Sequence, residues 1–499
     1  MRRPTSCREC RIAKRKCTSN FASKHDACLE CKSRTMRCSN TNTPETILSI
    51  PTNHSTSHLE RLITSVGADP QLDSEYSSKI WKFVNLYFRY IHDRPHSLFH
   101  EPSIWKSLRT RSLPEQLWAA MCALGCRFSS DQNDRDSAPV FAEKSRSVLG
   151  QQLDHMTLEN IQTCILLANW YAAVQKNDLE AMYFGIATRT ALLTNIQERN
   201  KEDSLILQEI KLRTWWSLVI ADNWCPPGLG IPRTIRADLT KLLPMDELAF
   251  QRLGTSDQAR DGGRSTGIWA YQATLASTFA LIQDTNYILV ANKIDHLAVG
   301  QIELVAQRLL DWHGSLPDNM VMSNSNLDTY RKIGHGGTFI ALHFGYHYYS
   351  TVLYFQFLNP SHQEIKEAGT YASRAKHHAL AFSRLLHTAR TCGDCHVVYL
   401  TVAQLTIVSS SVLLHSLLFG NDPEIEEARA QLTMNFEALE ELAMYWPCVQ
   451  RMKERLFVFQ NQCLHESAGD AFALNRWTIR FLLEHALPFK ETFADCKVA

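Results

Sequence analysis

The pattern of apolar positions divides the chain into a polar N-terminal part and a long helical part. In the second part, apolar residues recur every three or four positions, which is the period of a helix that buries one face. Clear examples lie at residues 80–91, 117–124 and 205–222. No run of useful length alternates apolar and polar residues as a half-buried strand does. The pattern predicts a large all-α domain over residues 75–487, followed by a C-terminal tail over residues 488–499.

Turn-forming residues predict where individual helices begin and end. Two apolar-periodic segments, 157–175 and 178–195, follow each other closely and predict a helical hairpin. The long helix over 205–222 is expected to end there, because the pair Pro226-Pro227 follows within one turn. Residues 255–266 contain several glycines and charged residues, and they predict a surface loop.

Between the two parts, residues 41–74 are rich in Ser, Thr, Asn and Pro and predict a linker. Its prolines are Pro44, Pro51 and Pro70. A coiled coil needs three or four heptads of apolar residues, and the linker shows nothing close to that. Dimerisation through the linker is therefore not predicted. A homodimer formed through the helical domain and a monomer that binds alone both remain open.

Six cysteines organise the N-terminal residues 1–40. They are Cys7, Cys10, Cys17, Cys28, Cys31 and Cys38. The second three repeat the spacing of the first three at an offset of 21 positions. Few apolar side chains lie between them, so the segment needs disulfides or metal ions in order to fold. The chain starts Met-Arg-Arg-Pro and shows no apolar segment typical of a secretory signal, which favours metal over disulfides.

The number of thiols indicates how many metal ions are bound. Thiolates in a closed site favour tetrahedral zinc, with four ligands for each ion. Two ions need eight ligand positions, and six cysteines supply eight if two of them bridge. A single ion would leave two thiols unexplained, and an iron–sulfur or redox patch is the alternative. We expect two zinc ions in this segment.

The charge of the chain is concentrated in the same segment. Residues 1–38 contain eleven Lys and Arg and three acidic residues, a net charge of +8. The whole chain is only +1, so residues 39–499 together carry −7. A cationic segment held in shape by metal is suited to a polyanion such as DNA. A solvated basic face, or a nuclear-import signal at Lys14-Arg15-Lys16, would explain the charge alone.

Cysteine spacing and basic residues together resemble a known family. The segments Cys7–Cys17 and Cys28–Cys38 are similar to the fungal Zn2Cys6 binuclear-cluster domain, which binds DNA. The resemblance implies that Cys7 and Cys28 bridge the two ions. It also implies that Lys14 reads guanine in a CGG-type half-site, where O6 and N7 are acceptors. The remaining basic residues are expected to contact phosphates. These are Arg11, Arg15, Lys16, Arg34 and Arg37.

The helical part carries a second resemblance. Phe99-His100-Glu101-Pro102, Trp215-Trp216-Ser217-Leu218 and the segment from Gly228 to Arg233 look like the fungal-specific transcription factor domain, also called the middle homology region. Residues 342–348 are similar to a later helix of that domain. The resemblance covers roughly residues 75–460. It implies an all-α regulatory domain.

Together the two resemblances imply a nuclear transcription factor that binds double-stranded DNA and regulates RNA polymerase II genes with the transcription machinery. A compact chain of this kind favours a regulator of a biosynthetic (secondary metabolite) gene cluster. A regulator of nutrient catabolism is the alternative, and so is a zinc-cluster protein that acts mainly through protein contacts. A small-molecule effector remains open. No catalytic motif is present, so an enzyme is not predicted.

Three further features are interpreted as structural, and a fourth is left open. Cys392-Gly393-Asp394-Cys395-His396 fits a haem-attachment pattern but predicts a surface turn between helices. His343 and His347 lie four apart and are expected to pack in the core, since no third ligand is evident. Residues 397–419 are long enough to span a membrane, yet their Ser, Thr and Gln content favours a buried core helix. The aromatic stretch 346–357 fits a ligand pocket and core packing equally well.

Overall fold

The computed structural model describes residues 70–236, 242–254, 265–291, 296–358, 366–466 and 476–486. Within these ranges, regular structure is helical, and only two isolated β-bridges occur. The expected all-α architecture is confirmed for this part of the chain. The helices are α1 Pro70–Tyr90, α2 Glu101–Arg109, α3 Glu115–Gly125, α4 Gln132–Asp136, α5 Ala138–Gly150, α6 Leu158–Ala173, α7 Asn177–Leu193, α8 Leu205–Gly228, α9 Glu247–Gln251, α10 Ile268–Ala291, α11 His296–Gly314, α12 Asn324–Lys332, α13 Gly336–Tyr354, α14 Ala368–Thr391, α15 Thr401–Phe419, α16 Asp422–Tyr445, α17 Val449–Glu466 and α18 Arg476–Leu482.

The first helices form because their apolar stripes pack on one another. In α1, Phe83, Val84 and Tyr87 are buried on the face that meets α3. The helix begins at Pro70, inside the segment that the sequence assigned to the linker. The predicted hairpin is present as α6 and α7, which pack along each other. Gln175, in the turn between them, has a positive φ of 58°.

Helix α8 differs from the prediction, because it continues past Asp222 through both prolines to Gly228. A proline deprives the carbonyl four residues earlier of its partner. For Pro227 that carbonyl belongs to Asn223, and Gln283 Nε2 donates to it at 2.9 Å. A long-range hydrogen bond therefore satisfies the carbonyl that Pro227 leaves without its helical partner.

The end of α8 is also closed by backbone hydrogen bonds. Ile231 N donates to Pro226 O at 2.9 Å, and Gly230 N donates to Pro227 O at 3.0 Å. Gly230 has a φ of 69°, which is the left-handed conformation that this type of C-terminal cap requires. After this cap the chain changes direction and continues to Arg233.

The apolar helix α15 lies in the interior of the domain. It is long and apolar enough to cross a membrane, but 83% of its most apolar window is buried inside the fold. Its polar side chains find partners on neighbouring helices. Asn435 Nδ2 in α16 donates to Ser410 Oγ and Ser383 Oγ, each at 3.0 Å, and Ser409 Oγ donates to Ala379 O at 2.9 Å. These contacts support its interpretation as a core helix.

The segment from Cys392 to His396 connects α14 and α15 and contains a turn, as predicted. Asp394 is exposed and has a φ of 61°. Cys395 is fully buried, so the segment lies only partly at the surface. Its thiol lies beside Gly336 at the start of α13, where an added Cβ would be 3.0 Å from Sγ. This thiol therefore packs in the core.

Candidate functional site

The residues predicted to bind metal and DNA lie outside the described residues. They are Cys7, Cys10, Cys17, Cys28, Cys31, Cys38, Arg11, Lys14, Arg15, Lys16, Arg34 and Arg37. Within the part of the chain that the structure describes, no three His, Cys, Asp or Glu side chains are grouped as metal ligands. Six thiolates are a donor set whose chemistry fits zinc, and their assignment as zinc ligands stays a prediction.

The two histidines at 343 and 347 make packing and hydrogen-bonding contacts. His343 is 1% exposed, and its Nε2 donates to Met320 O at 3.1 Å. His347 Nδ1 lies 3.0 Å from His378 Nδ1. Burial lowers the pKa of His343 to about 4, so its ring is neutral near pH 7. Both side chains behave as core residues, in agreement with the sequence interpretation.

A buried ionic centre lies close in sequence to two of the motifs. Arg213, one turn before Trp216, is completely buried. Its Nε donates to Glu209 Oε1 at 3.0 Å, and its Nη2 donates to Met245 O at 2.6 Å. The carboxylates of Asp93 and Glu247 lie 3.8 Å and 3.9 Å from the guanidinium. One cation therefore joins the turn before α2 to helices α8 and α9.

Burial alone would raise the pKa of Asp93, but His92, Arg213 and a hydrogen bond from Ser97 hold it well below its ordinary value. Ser97 also joins the motifs through its backbone. Its N–H donates to Ser217 Oγ at 3.0 Å, and Ser217 Oγ lies 3.1 Å from Ser97 O. The motif that contains Ser217 is thus a packing and hydrogen-bonding motif.

The third motif, the segment from Gly228 to Arg233, is also held in place by hydrogen bonds. The carboxylate of Asp222 accepts the N–H groups of Thr234 and Ile235 at 2.8 Å and 2.7 Å. Arg233 donates to Asp284 Oδ1 at 2.6 Å and to Gln283 Oε1 at 2.8 Å. These bonds fix the segment after α8 against α10. All three motifs therefore frame one region of the domain.

A cavity of about 490 Å³ lies beside this framework. Helices α6, α7, α8, α10, α13, α15 and α17 all contribute to its wall. Aromatic side chains form much of the lining, among them Trp224, Phe279, Tyr348 and Tyr349. The rings of Phe279 and Tyr349 stack, with centroids 4.4 Å apart and an interplanar angle of 9°. The volume falls within the range of small-molecule sites in proteins.

The polar groups of this wall have unused hydrogen-bonding capacity. The hydroxyls of Tyr348, Tyr349 and Tyr399 form no hydrogen bond with any described residue. Gln404 Oε1 and Gln272 Oε1 are buried and also lack a partner. Burial raises the pKa of Tyr399 well above its ordinary value, against the opposing effect of the Arg94 guanidinium. All three tyrosines are therefore neutral donors at physiological pH.

Arg94 provides a positive charge at the cavity. Its side chain is buried, and Nη1 donates to His92 O at 3.1 Å. In the part of the chain that the structure describes, no carboxylate forms an ion pair with Arg94, and its Nε has no hydrogen-bond partner. Burial lowers the pKa of Arg94 to about 10, so it stays charged at pH 7. Arg94 also lines a second, more polar cavity of about 430 Å³ near His335.

The sequence interpretation found part of this cavity. In the aromatic stretch 346–357, Tyr348 and Tyr349 line it. Tyr346 instead stacks on Trp312, with centroids 5.7 Å apart, so the stretch lines the cavity with some of its residues and packs in the core with others. Arg94, Gln404 and Tyr399 were missed because no local pattern marks them.

Comparison with known proteins adds a family match. Residues 84–272 match the family model of the fungal-specific transcription factor domain. The chain is 22% identical over 350 residues to an uncharacterized transcriptional regulatory protein of Schizosaccharomyces pombe, covering 61% of this chain and 35% of that protein. It is 21% identical over 419 residues to a second such protein, covering 74% and 50%.

A third relative is named as a Zn(2)-C6 fungal-type transcription factor, FTF1c of Fusarium oxysporum f. sp. lycopersici. It is 22% identical over 425 residues, covering 75% of this chain and 44% of the relative. The chain thus spans between about a third and a half of the length of these curated relatives. The family and the relatives are transcription regulators and not enzymes. Residues 84–272 are therefore similar to the fungal-specific transcription factor domain, and the chain is similar to fungal transcriptional regulators.

Proposed function

We propose that this chain is a zinc-dependent, sequence-specific DNA-binding transcription factor that acts in the nucleus on RNA polymerase II genes. The observation that carries the proposal is the combination of six regularly spaced cysteines and a +8 charge with a transcription factor domain further along the same chain. Relatives named as Zn(2)-C6 factors support the zinc assignment.

In this proposal the N-terminal segment holds two zinc ions, with Cys7 and Cys28 as bridging ligands. Zinc has no redox role there and supplies only a rigid fold. Lys14 donates to guanine acceptors in a CGG-type half-site. The other basic residues, Arg11, Arg15, Lys16, Arg34 and Arg37, contact phosphates and position the segment.

The helical domain is the regulatory part in this proposal. It contacts the transcription machinery, and its interior cavity receives a small-molecule effector. A homodimer formed through the helical domain would place two zinc segments on paired half-sites. We further propose that the target genes form a biosynthetic gene cluster. Genes of nutrient catabolism are the second candidate, and comparison of transcripts between wild-type and deletion strains separates the two.

The roles of Lys14 and Arg34 make the DNA proposal testable. Lys14→Ala is expected to flatten the preference among half-sites, because it removes a base contact. Arg34→Ala is its matched control and is expected to weaken all sequences alike, with a smaller salt dependence. The measurement is fluorescence anisotropy of the full chain with duplexes that differ at the half-site, over a range of salt concentrations. Equal losses for both variants with preference unchanged, or affinity that does not respond to salt, would refute the assignment.

The zinc proposal predicts a metal content of two equivalents per chain. Cys10→Ser is expected to lower it and to abolish specific DNA binding, because a closed site needs all its ligands. Cys392→Ser is the matched control, since this half-buried thiol lies in the helical domain. The measurement is elemental analysis of the purified full chain. A chain that is free of zinc yet binds DNA specifically would contradict the proposal, as would unchanged zinc in Cys10→Ser.

A further inference from the structure

The aromatic cavity is a large void among the described helices. Protein interiors contain few spaces larger than a water molecule. This one measures about 490 Å³ and is lined by residues from eight of the described helices, α3 among them. Its walls include the faces or edges of Trp224, Phe279 and Tyr349, and Trp224 stacks on Phe279 with centroids 5.9 Å apart. Flat rings of this kind favour a flat, unsaturated ligand.

The hydrogen-bonding groups in the wall point to a ligand that is partly polar. Nearly all buried polar groups in proteins have a partner. Among the described residues, the buried Gln404 Oε1 has no partner. The hydroxyls of Tyr348, Tyr349 and Tyr399, whose residues line the cavity, form no hydrogen bond with a described residue either. A purely apolar ligand would leave all four unsatisfied. A ligand with its own hydroxyl or carbonyl group would satisfy several of them.

The charge of the cavity sets the charge of the ligand. Arg213, the completely buried arginine of the ionic centre, lies within 4 Å of three carboxylates, at 3.0, 3.8 and 3.9 Å. Arg94 is 6% exposed and forms no ion pair with any carboxylate among the described residues. The charge of its neighbour Asp93 acts on Arg94 and opposes the lowering of its pKa, but the Asp93 carboxylate accepts a hydrogen bond from Ser97 Oγ and forms its ion pairs with His92 and Arg213. A buried cation of this kind is stabilised by an anion that binds beside it.

Other charged groups of the lining do not supply that anion. Glu180 is hydrogen-bonded to Cys225, and burial raises its pKa to about 7, so it is largely protonated below neutral pH. Arg451 and Glu454 are exposed and carry opposite charges. Arg455 donates to the backbone carbonyls of Arg480 and Phe481. The interior of the cavity therefore has an excess of positive charge.

We propose that this cavity binds a hydroxylated aromatic carboxylic acid, with the carboxylate held by Arg94 and the ring between the aromatic walls. The ligand's hydroxyl meets the hydroxyls of Tyr348 and Tyr349, and Tyr399 supports the carboxylate beside Arg94. The inference rests on the proposed function only in making this ligand the effector of the regulatory domain. Binding itself is a property of the described helical domain.

The test uses the purified full chain and 6-hydroxy-2-naphthoate, a fluorescent member of this class. Its methyl ester removes the charge, and octanoate removes the ring. Calorimetry and quenching of tryptophan fluorescence report binding. The naphthoate is expected to bind at least about tenfold more tightly than the ester or octanoate, because only it meets both the rings and the cation. Absence of naphthoate binding up to millimolar concentration, or equal binding of acid and ester, would overturn the proposal.

Variants identify the cation and exclude a general effect on folding. Arg94→Gln is expected to weaken naphthoate binding about tenfold or more and to leave ester binding unchanged, while Arg94→Lys recovers part of the loss. Arg374→Gln is the matched control, because Arg374 lies over the rings of Tyr354 and Tyr371 and outside the cavity. Tyr349→Phe removes a single hydroxyl and is expected to weaken binding severalfold. Equal loss in Arg94→Gln and Arg374→Gln would overturn the assignment.

Two measurements on the same samples separate this inference from the proposed function. Zinc content and DNA affinity are determined for each variant alongside ligand binding. A chain that binds its DNA but not the naphthoate refutes the ligand site alone. A chain that binds the naphthoate through Arg94 but has no zinc and no DNA affinity refutes the transcription factor proposal alone.

Discussion

At the residue scale, the domain depends on how it accommodates buried charge. Arg213 is completely buried and satisfied by Glu209, Met245 O and Ser97 Oγ, with two further carboxylates close by. Its contacts come from segments far apart in sequence. Removal of one partner from such a group leaves the remaining charges buried and unpaired. This lowers the free energy of unfolding far more than the loss of an exposed ion pair does.

Arg213→Met is therefore expected to lower the free energy of unfolding by about 3–5 kcal/mol. The matched control is Arg384→Ala, which removes an exposed pair between Arg384 and Glu427. That change is expected to cost about 1 kcal/mol or less. Urea unfolding followed by circular dichroism measures both. Losses of similar size in the two variants would show that the ionic centre does not stabilise the fold.

At the scale of elements, α1 and α3 approach unusually closely at Gly125. A Cβ added there would lie 2.1 Å from Phe83 O and 2.9 Å from Tyr87 N, both of them backbone atoms of α1. Backbone atoms of a helix do not move aside as a flexible side chain does. The absence of a side chain at this position thus sets the distance between the two helices.

Gly125→Ala is expected to lower the free energy of unfolding by roughly 1–3 kcal/mol, because it forces the two helices apart. Gly150→Ala is the matched control, since Gly150 also ends a helix and an added Cβ meets nothing within 4 Å. That substitution is expected to be neutral or to stabilise the domain by up to about 1 kcal/mol. Thermal unfolding compares the two. A neutral Gly125→Ala would disprove the close packing of α1 on α3.

Sequence reasoning predicted elements better than contacts. The helical period located α1, α3 and the α6–α7 hairpin, because one buried face leaves a regular pattern. The predicted end of α8 was wrong. The proline rule considers only hydrogen bonds within the helix, whereas the carbonyl of Asn223 accepts a hydrogen bond from Gln283, which lies 60 positions away. The ionic centre was not predicted, because its contacts join distant parts of the chain. The adjacent hydrogen bond between Ser97 and Ser217, for example, joins residues 120 positions apart. The roles predicted for the zinc and DNA residues stay predictions.

At the scale of the whole molecule, several histidines are buried in neutral form. Burial lowers the pKa of His343, His415 and His485 from 6.5 to about 4 in each case. In the unfolded chain the same rings take up a proton near their ordinary pKa. The unfolded state therefore binds more protons than the folded state between about pH 6.5 and pH 4. Stability that is present at neutral pH must be lost as the pH falls through this window.

The free energy of unfolding is expected to decline by about 1.4 kcal/mol per pH unit for each such histidine. His343→Asn, which can keep a hydrogen bond to Met320 O, is expected to flatten the decline. His155→Asn is the matched control, because His155 is exposed. Urea unfolding at several pH values between 7 and 4.5 measures the slopes. A slope that His343→Asn does not change would refute the contribution assigned to this residue.

The burial of α15 has a practical consequence for how the protein is made and shortened. This helix is as apolar as a membrane segment. It packs against α14, which precedes it in the chain, and against α16 and α17, which follow it. During synthesis it leaves the ribosome before α16 and α17 have emerged and can pack on it. Until they pack on it, its exposed apolar surface can bind chaperones or aggregate with other chains. Shortened versions that stop between residues 419 and 466 would keep that surface uncovered, so expression boundaries belong beyond α17.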